Sequence, residues 1–217
     1  MTATNQNYIL ELKDIQKEYI VGQPILNHVN FTVMPGDIVA ITEDNGTGKS
    51  TLLRIIAGLD SSYTGTIKYR GKTYTKPTTD IILLHQSYEQ LFPWLTVEQN
   101  IIQPIQISKK ISHKKAIAIA HSVLNSVGIK EYLFNRYPFQ LSGGQKQKIS
   151  LARALALSAD ILLMDEPFSA LDETSRYSFQ QMLKSITEKE KKTILLVSHS
   201  AEEVNRLTDK IIHLERR

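Results

Sequence analysis

The chain has 217 residues, with 26 Lys and Arg against 22 Asp and Glu, a formal net charge of +4 and no cysteine. That length buries a substantial core, either as one large domain or as a domain carrying an inserted subdomain. The missing cysteine excludes disulfides and thiolate metal sites and fits a reducing compartment, while the small, interspersed charge excess argues neither for nor against a nucleic-acid partner.

Met1 to Asn7 are polar and have neither the basic region nor the apolar core of a signal peptide. Tyr8 to Leu12 and Val29 to Val33 read as strands separated by the turn signal Gly22-Gln23-Pro24. A further strand, Thr66 to Tyr69, follows Gly65 and is closed by Gly71. Together they predict a small antiparallel sheet. Tyr19 falls among them, as an aromatic face suited to stacking on a purine or as an ordinary half-buried strand tyrosine.

Ile38, Val39, Ala40 and Ile41 form an apolar run without alternation, as expected of a parallel strand covered on both faces. Gly46-Thr47-Gly48 then allows a sharp turn that brings consecutive N–H groups to the start of a helix, whose dipole favours an anion. Lys49 adds a cation and Ser50 a hydroxyl able to ligate Mg²⁺, so the loop suits a nucleoside triphosphate. The pattern G-x-x-x-x-G-K-[ST] puts its first glycine at position 43, where this chain has Glu43. A carboxylate ~4 Å from a phosphate oxygen costs about 4 kcal/mol at an effective dielectric of 20. Glu43 is therefore expected to point away from the nucleotide; the alternative is badly weakened binding.

Ile81 to Leu84 predicts a second buried strand, ending at His85-Gln86. Leu91-Phe92-Pro93-Trp94-Leu95-Thr96-Val97 follows as an apolar, proline-broken surface segment, and Thr96 with Gln99 forms a capping box that opens a helix. Ala116, Ile119, Ala120, Val123, Leu124 and Val127 trace one helical face before Gly128 stops it. Residues 87–158 thus read as a helical insertion in an alternating strand and helix chain. Within it, Leu141-Ser142-Gly143-Gly144-Gln145 precedes a helical run from Lys146 to Leu157. Its Ser and glycines offer N–H groups to an anion, or simply make a Ser N-cap.

Ile161-Leu162-Leu163-Met164 is an apolar strand ending in Asp165-Glu166-Pro167. At the carboxyl edge of a parallel sheet Asp165 is placed to hold Mg²⁺ and Glu166 to act as a base on water; the plainer alternative is a solvated acidic turn. Ser169-Ala170-Leu171-Asp172 leads to a helix from about Glu173 to Lys189. Thr193 to Ser198 is the next buried strand, with His199 at its end, Ser200 and Glu203 as a capping box, and Lys210 to Leu214 as the last strand. His28, His85, His113, His121 and His213 show no metal-ligand spacing and read as structural.

Taken in order, Tyr19, the loop at 43–51, Gln86, Leu141 to Gln145, Ile161 to Glu166, Ser169 to Asp172 and His199 resemble, over essentially the whole chain, the nucleotide-binding subunit of ABC transporters. The resemblance implies an α/β fold: a P-loop NTPase (RecA-like) core with a small antiparallel β subdomain, about 1–86 and 159–217, and an inserted helical subdomain, about 87–158. It implies ATP and Mg²⁺ as ligands. Tyr19 would stack on adenine, and Asn45, Gly46, Thr47, Gly48, Lys49, Ser50 and Thr51 would hold phosphates, with Ser50, Gln86 and Asp165 around Mg²⁺. Glu166 would be the general base, with Gln86 sensing the attacking water and His199 contacting the γ-phosphate. Ser142, Gly143, Gly144 and Gln145 would bind the ATP held by a second ATPase subunit in a head-to-tail dimer, with Asp172 bridging the sites.

Leu91 to Val97, Tyr137-Pro138 and Asp165 to Asp172 look most like the ATPases of bacterial importers for nitrate, sulfonates and taurine. That implies a transmembrane permease subunit met by the segment after Gln86, an extracellular substrate-binding protein engaged indirectly, no nucleic acid, and a place on the cytoplasmic face of the membrane. With the last strand so near Arg217, no appended regulatory domain is expected. Glu43, Lys146, Lys148 and Ser200 depart from the family pattern, and Glu43 leaves open a degenerate module paired with an active partner; an exporter ATPase is a further alternative.

Overall fold

The computed structural model describes residues 8–43, 48–85, 91–169 and 171–214. Its centre is a five-stranded parallel sheet in the order β6-β7-β8-β3-β9, made of β3 (Ile38–Glu43), β6 (Ile81–Leu84), β7 (Ile161–Asp165), β8 (Thr193–Val197) and β9 (Ile211–Leu214). Burial on both faces explains why β7 and β8 carry unbroken apolar runs. The two-residue period sorts their side chains. Val39, Ile41, Leu163, Leu195 and Val197 face α1 (Lys49–Ile56) and the antiparallel sheet. Ala40, Leu162, Met164, Ile194 and Leu196 face the core shared with the remaining helices.

The antiparallel sheet runs in the order β2-β1-β4-β5, from β1 (Leu10–Ile20), β2 (Gln23–Val33), β4 (Thr64–Tyr69) and β5 (Lys72–Thr73). The first hairpin is much longer than its apolar ends predict: β1 and β2 continue to Ile20 and Gln23 and turn at Val21-Gly22. Between Leu12 and Ile15 the pairing shifts register, where Asp14 and His28 both adopt positive φ (54° and 50°) and their side chains bond across the strands.

Helices α2 (Val97–Lys109), α3 (His113–Ser126) and α4 (Gly143–Ala156) pack on one another. Single 3-10 turns at Glu131–Leu133 and Pro138–Gln140 lie between α3 and α4. The capping box of Thr96 and Gln99 opens α2, and buried Asn100 one turn on donates to the carbonyls of Phe92, Leu95 and Thr96 while accepting from the Phe92 N–H. One amide thus fixes the proline-broken segment and leaves Trp94 69% exposed. Helices α5 (Glu173–Glu190) and α6 (Ala201–Leu207) flank β8 in sequence. No helix among the described residues is long and apolar enough to cross a membrane.

Candidate active site at the carboxyl ends of the parallel strands

Neighbouring strands β7, β8 and β3 end side by side, the edge at which open α/β sheets bind ligands. From β3 the chain passes to α1, whose N-cap is Gly48 with φ 87° and no side-chain cap. A Cβ at Gly48 would stand 2.3 Å from Ile25 Cγ2 and 3.1 Å from the Ile25 carbonyl, so glycine is required both by φ and by the close approach of β2. Lys49, the first residue of α1, is 6% exposed, and its ammonium lies 3.1 Å from Nδ1 of His199. Because an ammonium only donates, a hydrogen bond between the two makes that nitrogen the acceptor.

The Nε2 atom is 3.1 Å from Oε1 of Glu166. Glu166 follows β7 with φ 48°, a left-handed backbone unusual for a glutamate. The strain is held at both ends, since its N–H donates to the Val197 carbonyl and its carbonyl accepts from the N–H and Oγ of Ser169. Burial pushes the Glu166 carboxyl above its ordinary value, against the pull of His199 and Lys49, and the charges of Asp165 and Glu203 add to the rise. Its Oε1 is buried without a properly aligned hydrogen bond, His199 being near but off-axis. An unsatisfied buried carboxylate oxygen at a ligand-binding edge is suited to accept from a water molecule.

Tyr19, late in β1, is 58% exposed. Its hydroxyl lies 3.4 Å from both Thr51 Oγ1 on α1 and Asp60. Lys17 stands 4.6 Å from its ring and is itself buried on Asp60 and on the carbonyl and hydroxyl of Ser62. Burial raises the Asp60 carboxyl, but the Ser62 N–H and the Lys17 ammonium outweigh it and hold the group below its usual range. Lys17 and Asp60 brace Tyr19 from beneath, and sequence reasoning passes over both because they are far apart in the chain.

Asn45, Gly46, Thr47 and Gln86 lie outside the described residues, as does the side chain of Glu43. Among the rest, Lys49, Glu166 and His199 meet directly, and Tyr19 touches Thr51. Ser142, Gly143, Gly144 and Gln145 sit at the start of α4, where Ser142 accepts from the Gln145 N–H and the Gln145 side chain accepts from the Ser142 N–H. A Cβ on Gly144 would lie 3.5 Å from Leu171 and 3.7 Å from Ser175, which puts α4 beside the start of α5. There Asp172 caps Ser175, and this bond holds its carboxyl below the ordinary range. The expected capping box at α6 is only half formed. Ser200 accepts from the Glu203 N–H, but the Glu203 carboxylate is taken by Ser198 and Arg176.

Among the described residues no three His, Asp or Glu side chains cluster as a metal cage. Mg²⁺ bound with a nucleotide needs none, because one or two protein oxygens suffice beside phosphates and waters, and Ser50 and Asp165 supply that kind of donor.

Residues 26–169 match the family model described as ABC transporter. The chain is 38% identical over 207 residues to the formylaminopyrimidine import ATP-binding protein ThiZ of Halalkalibacterium halodurans, covering 94% of this chain and 78% of the relative. It is 38% identical over 179 residues to the aliphatic sulfonates import ATP-binding protein SsuB of Bacillus subtilis, covering 82% and 68%. The bicarbonate transport ATP-binding protein CmpD of a Synechocystis species is 34% identical over 209 residues, covering 94% and 73%. A dimeric ATP-binding cassette, MJ0796, solved in a post-hydrolysis state bound to ADP and Pi, superposes with a TM-score of 0.82 at 30% identity, covering 95% and 94%. With a P-loop core, a buried lysine at the head of α1 and a strained glutamate facing it, this chain belongs to the ABC transporter family as an ATP-binding, ATP-hydrolysing cassette.

Proposed function

We propose that the chain powers a membrane importer for a small nutrient, working as a head-to-tail dimer with two ATPs at the interface. The observation that carries the reading is the line of 3.1 Å contacts from Lys49 through His199 to Glu166 at the carboxyl edge of the parallel sheet. Gly46, Gly48, Lys49, Ser50 and Thr51, with Asn45 and Thr47, hold the phosphates; Tyr19 stacks on adenine; Ser50, Asp165 and Gln86 serve Mg²⁺. That ion, when bound, supplies charge neutralisation on the phosphates. Glu166 takes the proton of the attacking water and His199 steadies the γ-phosphate, so catalysis is positioning and charge stabilisation. Ser142, Gly143, Gly144 and Gln145 reach the ATP of the other copy, and Asp172 joins the two sites.

Residues 1–86 and 159–217 form the core with its antiparallel sheet, and 87–158 the helical subdomain; the mutual packing of α2, α3 and α4 supports this division. Trp94 and Phe92, fixed by Asn100 and with Arg153 5.5 Å from the Phe92 ring, offer the permease subunit an aromatic foothold. Engagement of a permease places the chain on the cytoplasmic face of the membrane, with the extracellular substrate-binding protein reached only through that subunit. Relatives named for sulfonate, bicarbonate and formylaminopyrimidine transport favour a small polar nutrient.

Hydrolysis of ATP by the purified chain tests this, with Mg²⁺ present or chelated and with Glu43→Gly alongside. Activity with Mg²⁺, its loss on chelation, and no large gain in Glu43→Gly are expected. Activity only after Glu43 becomes glycine would favour the degenerate module that Glu43 itself suggests.

A further inference from the structure

His199 reaches Glu166 and Lys49 from a turn whose fixation lies elsewhere. Arg176, in the first turn of α5, donates from Nη2 to the Leu171 carbonyl at 3.1 Å, and its Nε stands 3.2 Å from Oε1 of Glu203 on α6. The other oxygen of Glu203 accepts from the Ser198 hydroxyl at 2.6 Å, and that hydroxyl accepts from the Ser200 N–H at 3.1 Å. Ser198 and Ser200 are the two neighbours of His199. Ser198 is 1% exposed and Glu203 9%, so the bond between them is made out of water, where it is stronger than at the surface, while Arg176, 34% exposed at its side chain, meets Glu203 as an ion pair without an aligned Nε hydrogen bond.

We propose that Arg176 and Glu203 are a positioning pair that ties the Leu171-Asp172 turn to the His199 turn and holds the imidazole at Glu166. The catalytic part of this claim rests on the role given to His199 above. Neither residue touches the reacting groups; each acts through Ser198 and the backbone of Ser200. A helix cap alone would need only the Ser200 hydroxyl and the Glu203 N–H, a bond that exists independently of the Glu203 carboxylate. The carboxylate is instead spent on Ser198 and Arg176.

Glu203→Gln keeps the shape and an acceptor for Ser198 but removes the ion pair. Ser198→Ala removes one hydroxyl and serves as the second variant should the first not fold. Two measurements are made on the full chain: the ¹⁵N signals of the histidine rings, and steady-state ATP hydrolysis. In both variants the His199 nitrogens shift while those of His28 and His213, on the sheets, stay in place. At the same time kcat falls about tenfold with the KM for ATP within about twofold, the pattern of a displaced catalytic group rather than of lost nucleotide binding. Unmoved His199 signals in a folded variant, or a kcat within about twofold of wild type, would overturn the proposal. Should the wild-type chain itself fail to hydrolyse ATP, the proposed function falls, and the His199 shift alone then decides whether the pair positions that turn.

Discussion

Helices α1 and α4 both begin at glycines, and they begin in different ways. At α1 the N-cap is Gly48, in a left-handed conformation with no side-chain cap, and the site around it is furnished by the same chain: Lys49, His199 and Glu166 converge there. At α4 the capping box of Ser142 and Gln145 satisfies the local N–H groups of both residues, and the nearest turn is Leu171 to Ser175. Helix geometry leaves the N–H groups of Gly143 and Gly144 without an intrahelical acceptor. In the function proposed above, the first end grips a phosphate of its own chain's ATP, and the second is presented, already folded, to the ATP of another copy.

Substitutions at the two ends sharpen this contrast. The largest effect is expected for Glu166→Gln, which keeps the size of the side chain but removes the base: steady-state ATP hydrolysis falls about 10²- to 10⁴-fold while nucleotide binding persists. Retained hydrolysis would take the base role away from Glu166. Gly48→Ala comes next. With φ 87° and Ile25 in the way, it costs about 1–2 kcal/mol in strain before any clash is counted, read as a lower urea midpoint, and it weakens ATP binding. Ser142→Ala costs about 1 kcal/mol of stability through the lost cap and leaves ATP binding by the monomer unchanged, but it lowers hydrolysis. ATP binding that weakened as much as in Gly48→Ala would erase the distinction between the two ends.

The smallest effect is one of sign. Burial raises the Glu166 carboxyl, so its ionised form opposes folding, and the stability held by the protonated form is lost as pH rises through the raised pKa. Glu166→Gln should therefore melt higher than wild type at neutral pH, and the gap should close as pH falls below the ordinary carboxylate value of 4.5. A variant that melts lower at neutral pH would mean that His199 and Lys49, not burial, dominate the carboxyl.

The parallel strands are legible in sequence because both faces are buried, so Ile161 to Met164 and Thr193 to Val197 have no alternation to misread. The antiparallel hairpin is legible only at its apolar ends, because beyond them the register shifts around Asp14 and His28 break the two-residue period and polar residues fill an exposed strand. The site divides the same way. Lys49, Glu166 and His199 are visible because each stands at the end of an apolar run or at the start of a helix. Lys17, Asp60, Arg176 and Glu203 are not, since each acquires its role from a partner distant in the chain. Glu203 is misread for a specific reason: its spacing from Ser200 satisfies a capping box, and only the fold reveals that Ser198 and Arg176 claim its carboxylate.

The central claim, that hydrolysis needs two copies, is tested most directly by measuring Mg-ATP hydrolysis of the wild-type chain over a range of protein concentrations, with Glu166→Gln as the blank. Specific activity that rises with protein concentration and disappears in the blank is the predicted result. Specific activity that stays flat down to concentrations at which the chain is monomeric would contradict it, because a single chain would then contain the whole site.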